Sequence, residues 1–197
     1  MTDRPILFSA PMVRALLEGR KTQTRRILNP QPGDDIDNAG DCETIIDMAT
    51  GQEIHARFAV GDRLYVREEW FTTPAYDDLA PSEMGGDEPL RYKADDATFN
   101  WTEADGSRVG RRRAGMHMPR WASRLTLTVT EVRVERLQEC SEVDAVQEGV
   151  TLIEESCEDP VEAYAALWNS INGAGAWEAN PWVAAVTFTV EQRNIDA

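Results

Sequence analysis

The alternation of apolar and polar positions along the chain predicts a set of short strands. PILFS near the amino terminus is the first, and FAVGDRLYVREEWF contains a second in which Leu64 and Val66 share one face. Further strands are predicted for the segment after Lys21 and for WVAAVTFTV near the carboxyl terminus. Because side chains alternate between the two faces of a strand, each segment is expected to bury one face.

The strongest strand pattern, SRLTLTVTEVRVERL, contains a change of phase. Leu127 and Val129 share one parity, whereas Val132 and Val134 share the other. A change near Glu131 predicts a β-bulge or a sharp bend, which a small curved sheet needs.

Capping signals predict three helices between the strands. Ser9 precedes APMVRALLE, which a glycine ends. Ser141 opens SEVDAVQEG, where Asp144 is placed to complete a capping box and Gly149 to end the helix. Asp159 opens DPVEAYAALWNSING, with proline at the first helical position.

Two polar stretches are expected to be insertions, at about 29–57 and 72–118. The first is expected to form a loop that carries a hairpin, and in the second only PLRYKA resembles a strand. Strands interrupted by helices predict an α+β protein built on a small curved sheet or barrel. We expect a single domain over residues 1–197.

Composition restricts the classes of partner. The formal net charge of −15 argues against long, non-specific contact with nucleic acid, which normally requires a broad basic surface. Basic residues do cluster in GRKTQTRR and in RVGRRRAGMHMPRWASR, so a local anion or nucleotide site stays open.

The chain lacks the patterns of secreted, membrane and metal proteins. Its first residues do not resemble a secretion signal, and no stretch approaches 18 consecutive apolar residues, so we expect a cytoplasmic protein without a membrane partner. Cys42, Cys140 and Cys157 are widely spaced and form no CxxC, so neither a disulfide framework nor a zinc site is indicated. We expect no metal and no cofactor.

Candidate chemistry lies in GRKTQTRR, because it holds one of only two lysines, Lys21 and Lys93, among 20 basic residues. In a regular strand Lys21 and Thr24 would lie on opposite faces. They could act together only if the glycine-led turn leaves Lys21 outside the strand.

LFSAPMVRALLEGRKTQTRR, VGDRLYVREEWF, VTEVRVERLQECSEVDAVQEG and LWNSINGAGAWEANPWVAAVTFTV resemble the ASCH domain family. The chain is most similar to longer members carried by bacteriophages and prophages, from roughly Pro5 to Val190. The resemblance implies a PUA-like β-barrel with helices at its rim. It also implies recognition of RNA or of modified nucleosides.

The same resemblance implies an activity. Small bacterial ASCH proteins include amidohydrolases that cleave N4-acetylcytidine to cytidine and acetate. The matching residues here are Lys21, Thr24 and Glu148. This chain departs from the small enzymes because it is almost twice as long and has Arg25 where a small apolar residue often occurs.

The chemistry of amide cleavage suggests a role for each residue. A lysine with a lowered pKa can act as a base, whereas an arginine stays protonated. Lys21 would be that base, Thr24 the nucleophile or the group that positions a water, and Glu148 the group that orients Lys21 or shuttles a proton. Arg26 would bind the substrate carbonyl oxygen.

An aromatic side chain would stack on the base of the nucleoside. Trp70, Trp177 and Trp182 are the candidates, and the sequence does not choose among them.

Each of these residues also has an ordinary interpretation. A lysine in a turn is usually solvated, a strand threonine and a glutamate near a helix end are usually structural, and tryptophans usually belong to the core. A second function is therefore carried forward, a non-catalytic module that binds RNA or a modified nucleotide through Arg20, Arg25, Arg26 and Arg111 to Arg113. A ribonuclease ranks last, because the two histidines are far apart in the sequence. The acyl group and the oligomeric state stay open.

Overall fold

The computed structural model describes residues 2–38, 44–106, 108–150 and 159–197. Cys42 and Cys157 lie outside these ranges. Over the described residues the fold is mixed α+β with more strand than helix, which confirms the predicted class.

In the described part of the chain the helices are α1 (Ala10–Leu17), α2 (Glu142–Gln147) and α3 (Pro160–Asn172). The strands there are β1 (Asp3–Leu7), β2 (Gln23–Ile27), β3 (Ile36–Asn38), β4 (Thr44–Asp47), β5 (Gln52–His55), β6 (Arg63–Arg67), β7 (Trp70–Phe71), β8 (Leu90–Tyr92), β9 (Thr98–Phe99), β10 (Arg112–Arg113), β11 (Thr126–Arg136) and β12 (Trp182–Glu191). Short 3₁₀ helices interrupt the stretch between β7 and β11.

The described residues group into two compact units. Unit 1 consists of Gly19–Asp62 and Thr128–Thr189, and unit 2 of Thr2–Glu18, Arg63–Leu127 and Val190–Ala197. The expected single domain with two insertions stays a prediction.

Unit 1 contains the strands that carry the candidate chemistry. Strand β12 pairs with β2 in antiparallel register, with Val186 opposite Thr24 and Ala184 opposite Arg26, and it lies between β2 and β11. A separate antiparallel sheet has the order β3-β4-β5. Its β4–β5 pair confirms the hairpin expected in the first insertion.

Unit 2 contains a parallel strand pair and a second small sheet. Strands β1 and β6 run parallel, with Ile6 opposite Val66. The small sheet has the order β10-β7-β8-β9, and β8 confirms the strand expected in PLRYKA. Strands β9 and β10 were not expected, because two residues are too few to show a periodic pattern.

The predicted change of phase in β11 appears in its burial. Val129 and Val132 are both buried, whereas Thr130 and Glu131 between them are both exposed. The two buried valines are three positions apart, so the buried parity switches at the expected place.

The ends of α2 and α3 follow the predicted capping, whereas Ser9 stands at the N-cap of α1 without a side-chain capping hydrogen bond. The Ser141 side chain accepts a hydrogen bond from the backbone N–H of Asp144, and Asp144 accepts one in return from Ser141. Asp159 accepts from the N–H of Val161 at 2.8 Å. Gly149, just beyond α2, has φ of +83°, a conformation that glycine adopts without steric cost.

Each unit has its own hydrophobic cluster. In unit 1, α3 contributes Tyr164 and Trp168, four residues apart on one helix face, and in unit 2 Trp70 is fully buried. The described strand pairings do not close a barrel, so the PUA-like barrel stays a prediction. In the described ranges, every helix is too short or too polar to cross a bilayer.

Candidate functional site

Lys21 lies outside the regular strand, as cooperation with other groups requires. Strand β2 begins two residues later, and Gly19 supplies the turn before it with φ of +72°. Lys21 forms an isolated antiparallel bridge with Glu148, and the N–H of Thr22 donates to the Gln147 carbonyl at 2.9 Å. The end of α2 is thereby fixed beside the segment that leads into β2.

This backbone pairing brings the lysine and the glutamate into direct contact. Lys21 Nζ donates to Glu148 Oε2 at 2.7 Å and to the Glu148 backbone carbonyl at 2.8 Å. Both residues are buried, with 1% of Lys21 and 3% of Glu148 exposed. The two catalytic candidates, separated by 127 positions, therefore form a buried ion pair.

Burial lowers the pKa of Lys21 below its ordinary value of 10.5, because water no longer solvates the ammonium. Glu148 opposes this effect through its charge and its hydrogen bond. Arg26 and Arg25 add to the lowering by repulsion. The site therefore has the features that favour a neutral amine, with one carboxylate acting against them.

Arg25 joins the same cluster from β2. Its Nη1 lies 3.4 Å from Glu148 Oε1, and its Nε and Nη2 donate to Glu135 Oε1 at 3.0 and 2.7 Å. Its Nη2 also lies 3.4 Å from an oxygen of Asp144. Burial alone would lower the pKa of Arg25, but its acidic neighbours raise it above the ordinary value.

Gln23 connects the cluster to its polar surroundings. Arg25 Nη1 donates to Gln23 Oε1 at 2.6 Å, and Gln23 Nε2 donates to Thr187 Oγ1 at 3.2 Å. Gln23 and Arg25 share a parity in β2, so their side chains lie on the same face of the strand.

Tyr164 reaches the cluster from α3. Its hydroxyl donates to Glu148 Oε1 at 3.2 Å, so that oxygen faces Tyr164 and Arg25 while Oε2 faces Lys21. Burial raises the pKa of Tyr164 above its ordinary value of 10.0, with Glu148 raising it further. Its hydroxyl therefore stays protonated and acts as a donor at neutral pH.

Cys140 packs near Arg25 but is not set up as a nucleophile. Burial raises the pKa of its thiol to about 12, and Asp144 and Glu148 act in the same direction. The thiolate is the reactive form, so Cys140 is an inert core residue at neutral pH.

Thr24 is buried in β2 with 4% of its surface exposed. Because side chains alternate, it projects from the face of β2 opposite to Gln23 and Arg25. The structure therefore brings Lys21 and Glu148 together. The side chains that face Glu148 Oε1 are those of Arg25 and Tyr164, and Thr24 is not one of them.

Arg26 follows on the same strand and lies within electrostatic range of the pair. Burial lowers its pKa, whereas Glu148 and Tyr164 raise it and Arg57 lowers it further. Its predicted contact with a substrate carbonyl stays a prediction.

The tryptophans suggested as stacking surfaces have packing roles. Trp70 is 0% exposed in the core of unit 2, with the Arg113 guanidinium 5.3 Å from its ring centre, so its buried ring is not accessible to a base. Trp182 donates from Nε1 to the Gly33 carbonyl at 3.0 Å, and the Arg136 guanidinium lies 4.3 Å from its ring centre.

Trp177 contacts a residue of the candidate site. Its ring meets that of Tyr164 edge-on at 6.0 Å, and it is only partly buried. The structure therefore links Trp177, rather than Trp70, to the residues around Glu148.

The basic residues that motivated nucleic-acid binding are partly committed to internal partners. Arg113 is buried and donates to the backbone carbonyls of Leu79 and Tyr76, at 3.0 and 2.5 Å. Arg25 is buried among carboxylates. Arg111 and Arg112 are exposed.

Sequence reasoning missed Tyr164, Glu135 and the role of Arg25. Tyr164 offers a weak signal, because it is a polar-tipped residue on the apolar stripe of α3. Glu135 offers none, because charged residues alternate along the whole end of β11.

Among the residues that the structure describes, no group of three or more histidine, cysteine, aspartate or glutamate side chains is arranged to hold a metal ion. No family model, no curated protein and no solved structure matches this chain. The ASCH assignment therefore rests on the sequence motifs and stays a prediction.

Proposed function

We propose that this protein is an ASCH-type amidohydrolase that cleaves the N4-acyl amide of N4-acetylcytidine-type nucleosides to cytidine and a carboxylate. The observation that carries the proposal is the buried contact between Lys21 Nζ and Glu148 Oε2 at 2.7 Å. Buried ionisable groups with a shifted pKa, such as Lys21, are concentrated at functional sites. The proposal includes a PUA-like barrel and reaction in the cytoplasm of a bacterial host cell.

Lys21 acts as the base in the proposed reaction. Its neutral amine takes a proton from the nucleophile, which is Thr24 Oγ1 or a water molecule held by Thr24, as that oxygen bonds to the acyl carbon. The C–N bond breaks, and the exocyclic nitrogen receives a proton from the Lys21 ammonium or through Glu148. If Thr24 is the nucleophile, water then hydrolyses its ester, so one water is consumed in total.

Two further groups complete the proposed site. Arg26 donates to the acyl oxygen as negative charge develops there. A partly exposed aromatic ring supports the base by stacking, and Trp177 is better placed for this than Trp70. A neutral nucleoside needs no basic surface, which agrees with the net charge of −15.

The two lysines of the chain provide a matched test. Purified wild type, Lys21→Arg and Lys93→Arg are incubated with N4-acetylcytidine, and cytidine is followed by its absorbance. We expect wild type and Lys93→Arg to release cytidine. We expect Lys21→Arg to lose at least about 100-fold, the usual contribution of a general base, because guanidinium stays protonated.

Two outcomes would count against the proposal, and a third would support the role of Thr24 in it. Equal rates for all three proteins would remove Lys21 from the mechanism. No release by any of them would favour the binding module instead, which is checked by salt-dependent RNA binding that survives Lys21→Arg. Loss of activity in Thr24→Val but not in Thr24→Ser would assign Thr24 a hydroxyl role.

A further inference from the structure

The two oxygens of the Glu148 carboxylate have different partners. Oε2 accepts from Lys21 at 2.7 Å, whereas Oε1 faces Arg25 Nη1 at 3.4 Å and the Tyr164 hydroxyl at 3.2 Å. Lys21, Arg25 and Tyr164 come from the segment before β2, from β2 and from α3. The carboxylate is therefore held in one orientation by three donors on separate segments.

Arg25 lies beside three carboxylates, those of Glu135, Asp144 and Glu148. Its shorter contacts are to Glu135, at 2.7 and 3.0 Å, and its contact to Glu148 is longer. The Arg25 side chain is 0% exposed and that of Glu135 is 13% exposed, so water screens this charge weakly. The negative charge of Glu135 therefore offsets part of the positive charge that Arg25 presents to Glu148.

We propose that Arg25 and Tyr164 are positioning residues that hold the Glu148 carboxylate by Oε1 and share its negative charge with Lys21, while Glu135 limits the share that Arg25 takes. The inference deepens the proposed function and takes from it the role of Lys21 as the base. The pKa of Lys21, which burial lowers most, is then adjusted by Arg25, Tyr164 and Glu135 through Glu148.

Charged and titratable groups face this pair from every element around it. They are Arg25 and Arg26 on β2, Arg133 and Glu135 on β11, Asp144 on α2, Tyr164 on α3, and Cys140 between β11 and α2. Arg133 donates to Asp144 at 2.9 Å and lies 3.4 Å from Glu135, so it adds a second positive charge beside those two carboxylates.

The proposal fixes the direction of two changes. In Glu135→Gln, Arg25 loses its nearest negative charge, so it attracts Glu148 and repels Lys21 more strongly, and the pKa of Lys21 falls. In Tyr164→Phe, Glu148 loses a donor and binds Lys21 more strongly, so the pKa of Lys21 rises. A loosened structure would raise it in both variants, because burial is the largest cause of its lowering.

The ionisation of Lys21 can be measured directly because the chain has only two lysines. In a Lys93→Arg background, lysine labelled with ¹³C at Cε gives one signal, whose shift is followed against pH by NMR. Tyr164→Phe and Glu135→Gln are compared with Tyr92→Phe. This control removes another buried hydroxyl, one that donates to the Ala122 carbonyl in unit 2.

We expect the titration midpoint to move up in Tyr164→Phe, down in Glu135→Gln and not at all in Tyr92→Phe. If Glu135→Gln does not fold, Glu135→Asp is used instead. Its shorter side chain holds the negative charge farther from Arg25, so it is expected to act in the same direction. Midpoints that match the control, or that rise in both variants, would overturn the inference.

The measurement needs no substrate, so it is independent of the proposed function. Shifted midpoints in a protein that releases no cytidine would leave the inference standing and remove the amidohydrolase. Cytidine release with unshifted midpoints would support the amidohydrolase and overturn the inference. In an active enzyme the acidic limb of the kcat/KM profile should move with the midpoint, which a purely structural role of these residues would not cause.

Discussion

Lys21 carries its amine in a site from which water is almost fully excluded, and Glu148 provides the counter-charge at 2.7 Å. A buried ion pair is a weak source of stability, because desolvation offsets much of its Coulomb energy. Arg25 and Tyr164 add hydrogen bonds to the same carboxylate, so its oxygens are satisfied. Replacing any one of these residues leaves a buried partner unsatisfied, so each replacement is expected to lower the free energy of unfolding.

Tyr164 gives a prediction about stability at high pH. Its pKa is raised in the folded state, so above about pH 10 the unfolded chain loses a proton that the folded protein keeps. The stabilisation from neutral Tyr164 is therefore complete below about pH 10 and is lost as pH rises further. Tyr164→Phe should remove this contribution to the slope of the free energy of unfolding against pH. For a difference of one bound proton the contribution is about 1.4 kcal/mol per pH unit.

Urea denaturation of wild type and Tyr164→Phe at a series of alkaline pH values measures this difference. We expect the free energy of unfolding to fall less steeply with pH in the variant. Identical slopes would mean that Tyr164 titrates normally in the folded protein, and the donor to Glu148 would then be lost as soon as the pH passes about 10.

At the scale of elements, α2 is a six-residue helix that delivers Glu148 at its end. Isolated helices of this length are unstable in water, so α2 depends on its cap and its contacts. The capping box of Ser141 and Asp144 fixes the start, and the bridge between Lys21 and Glu148 fixes the end. Asp144 also accepts from Arg133, which ties the cap to β11.

Serine stands at the N-cap of two of the described α-helices, which gives a matched pair of variants. The Ser141 side chain accepts a capping hydrogen bond, whereas Ser9 occupies the same position on α1 without one. We expect Ser141→Ala to cost about 1 kcal/mol of unfolding free energy and Ser9→Ala much less. Chemical denaturation checks both, and equal costs would show that the capping hydrogen bond contributes nothing to stability.

At the scale of the whole molecule, the net charge of −15 is combined with two arginines that are buried. Arg25 and Arg113 are buried, and Arg25 lies among carboxylates. Most acidic residues that the structure describes are outside the buried set, so the acidic excess falls mainly on the surface, where it repels itself and other polyanions.

Surface self-repulsion predicts a response to salt. Between about 0.01 M and 1 M NaCl the Debye length falls from about 30 Å to about 3 Å, so repulsion among the acidic groups is screened. We expect the thermal midpoint to rise over this range. A falling midpoint would show that surface ion pairs, such as Arg120 with Asp196 at 2.6 Å, contribute more than the repulsion costs.

The local pattern was sufficient for most elements. Helices α1, α2 and α3 and strands β6, β11 and β12 appear where periodicity and caps predicted them, including the phase change beside Glu131. These features depend on residues a few positions apart, which a sequence displays directly. Strands β9 and β10 escaped prediction because tertiary pairing, rather than their own residues, makes them strands.

The sequence by itself determined the α+β class and the capped helices. It left open whether the glycine-led turn places Lys21 outside its strand, and the structure shows that it does. The pairing of Lys21 with Glu148 was expected only from the resemblance, and the structure supplies the contact. Only the tertiary structure decided that Arg25, Glu135 and Tyr164 surround that pair and that Trp70 is buried in unit 2. The physical reason is that strand and helix periods fix which side of an element a residue faces, whereas the partner across the gap is chosen by the packing of segments more than 100 residues apart, as for Arg25 and Glu135.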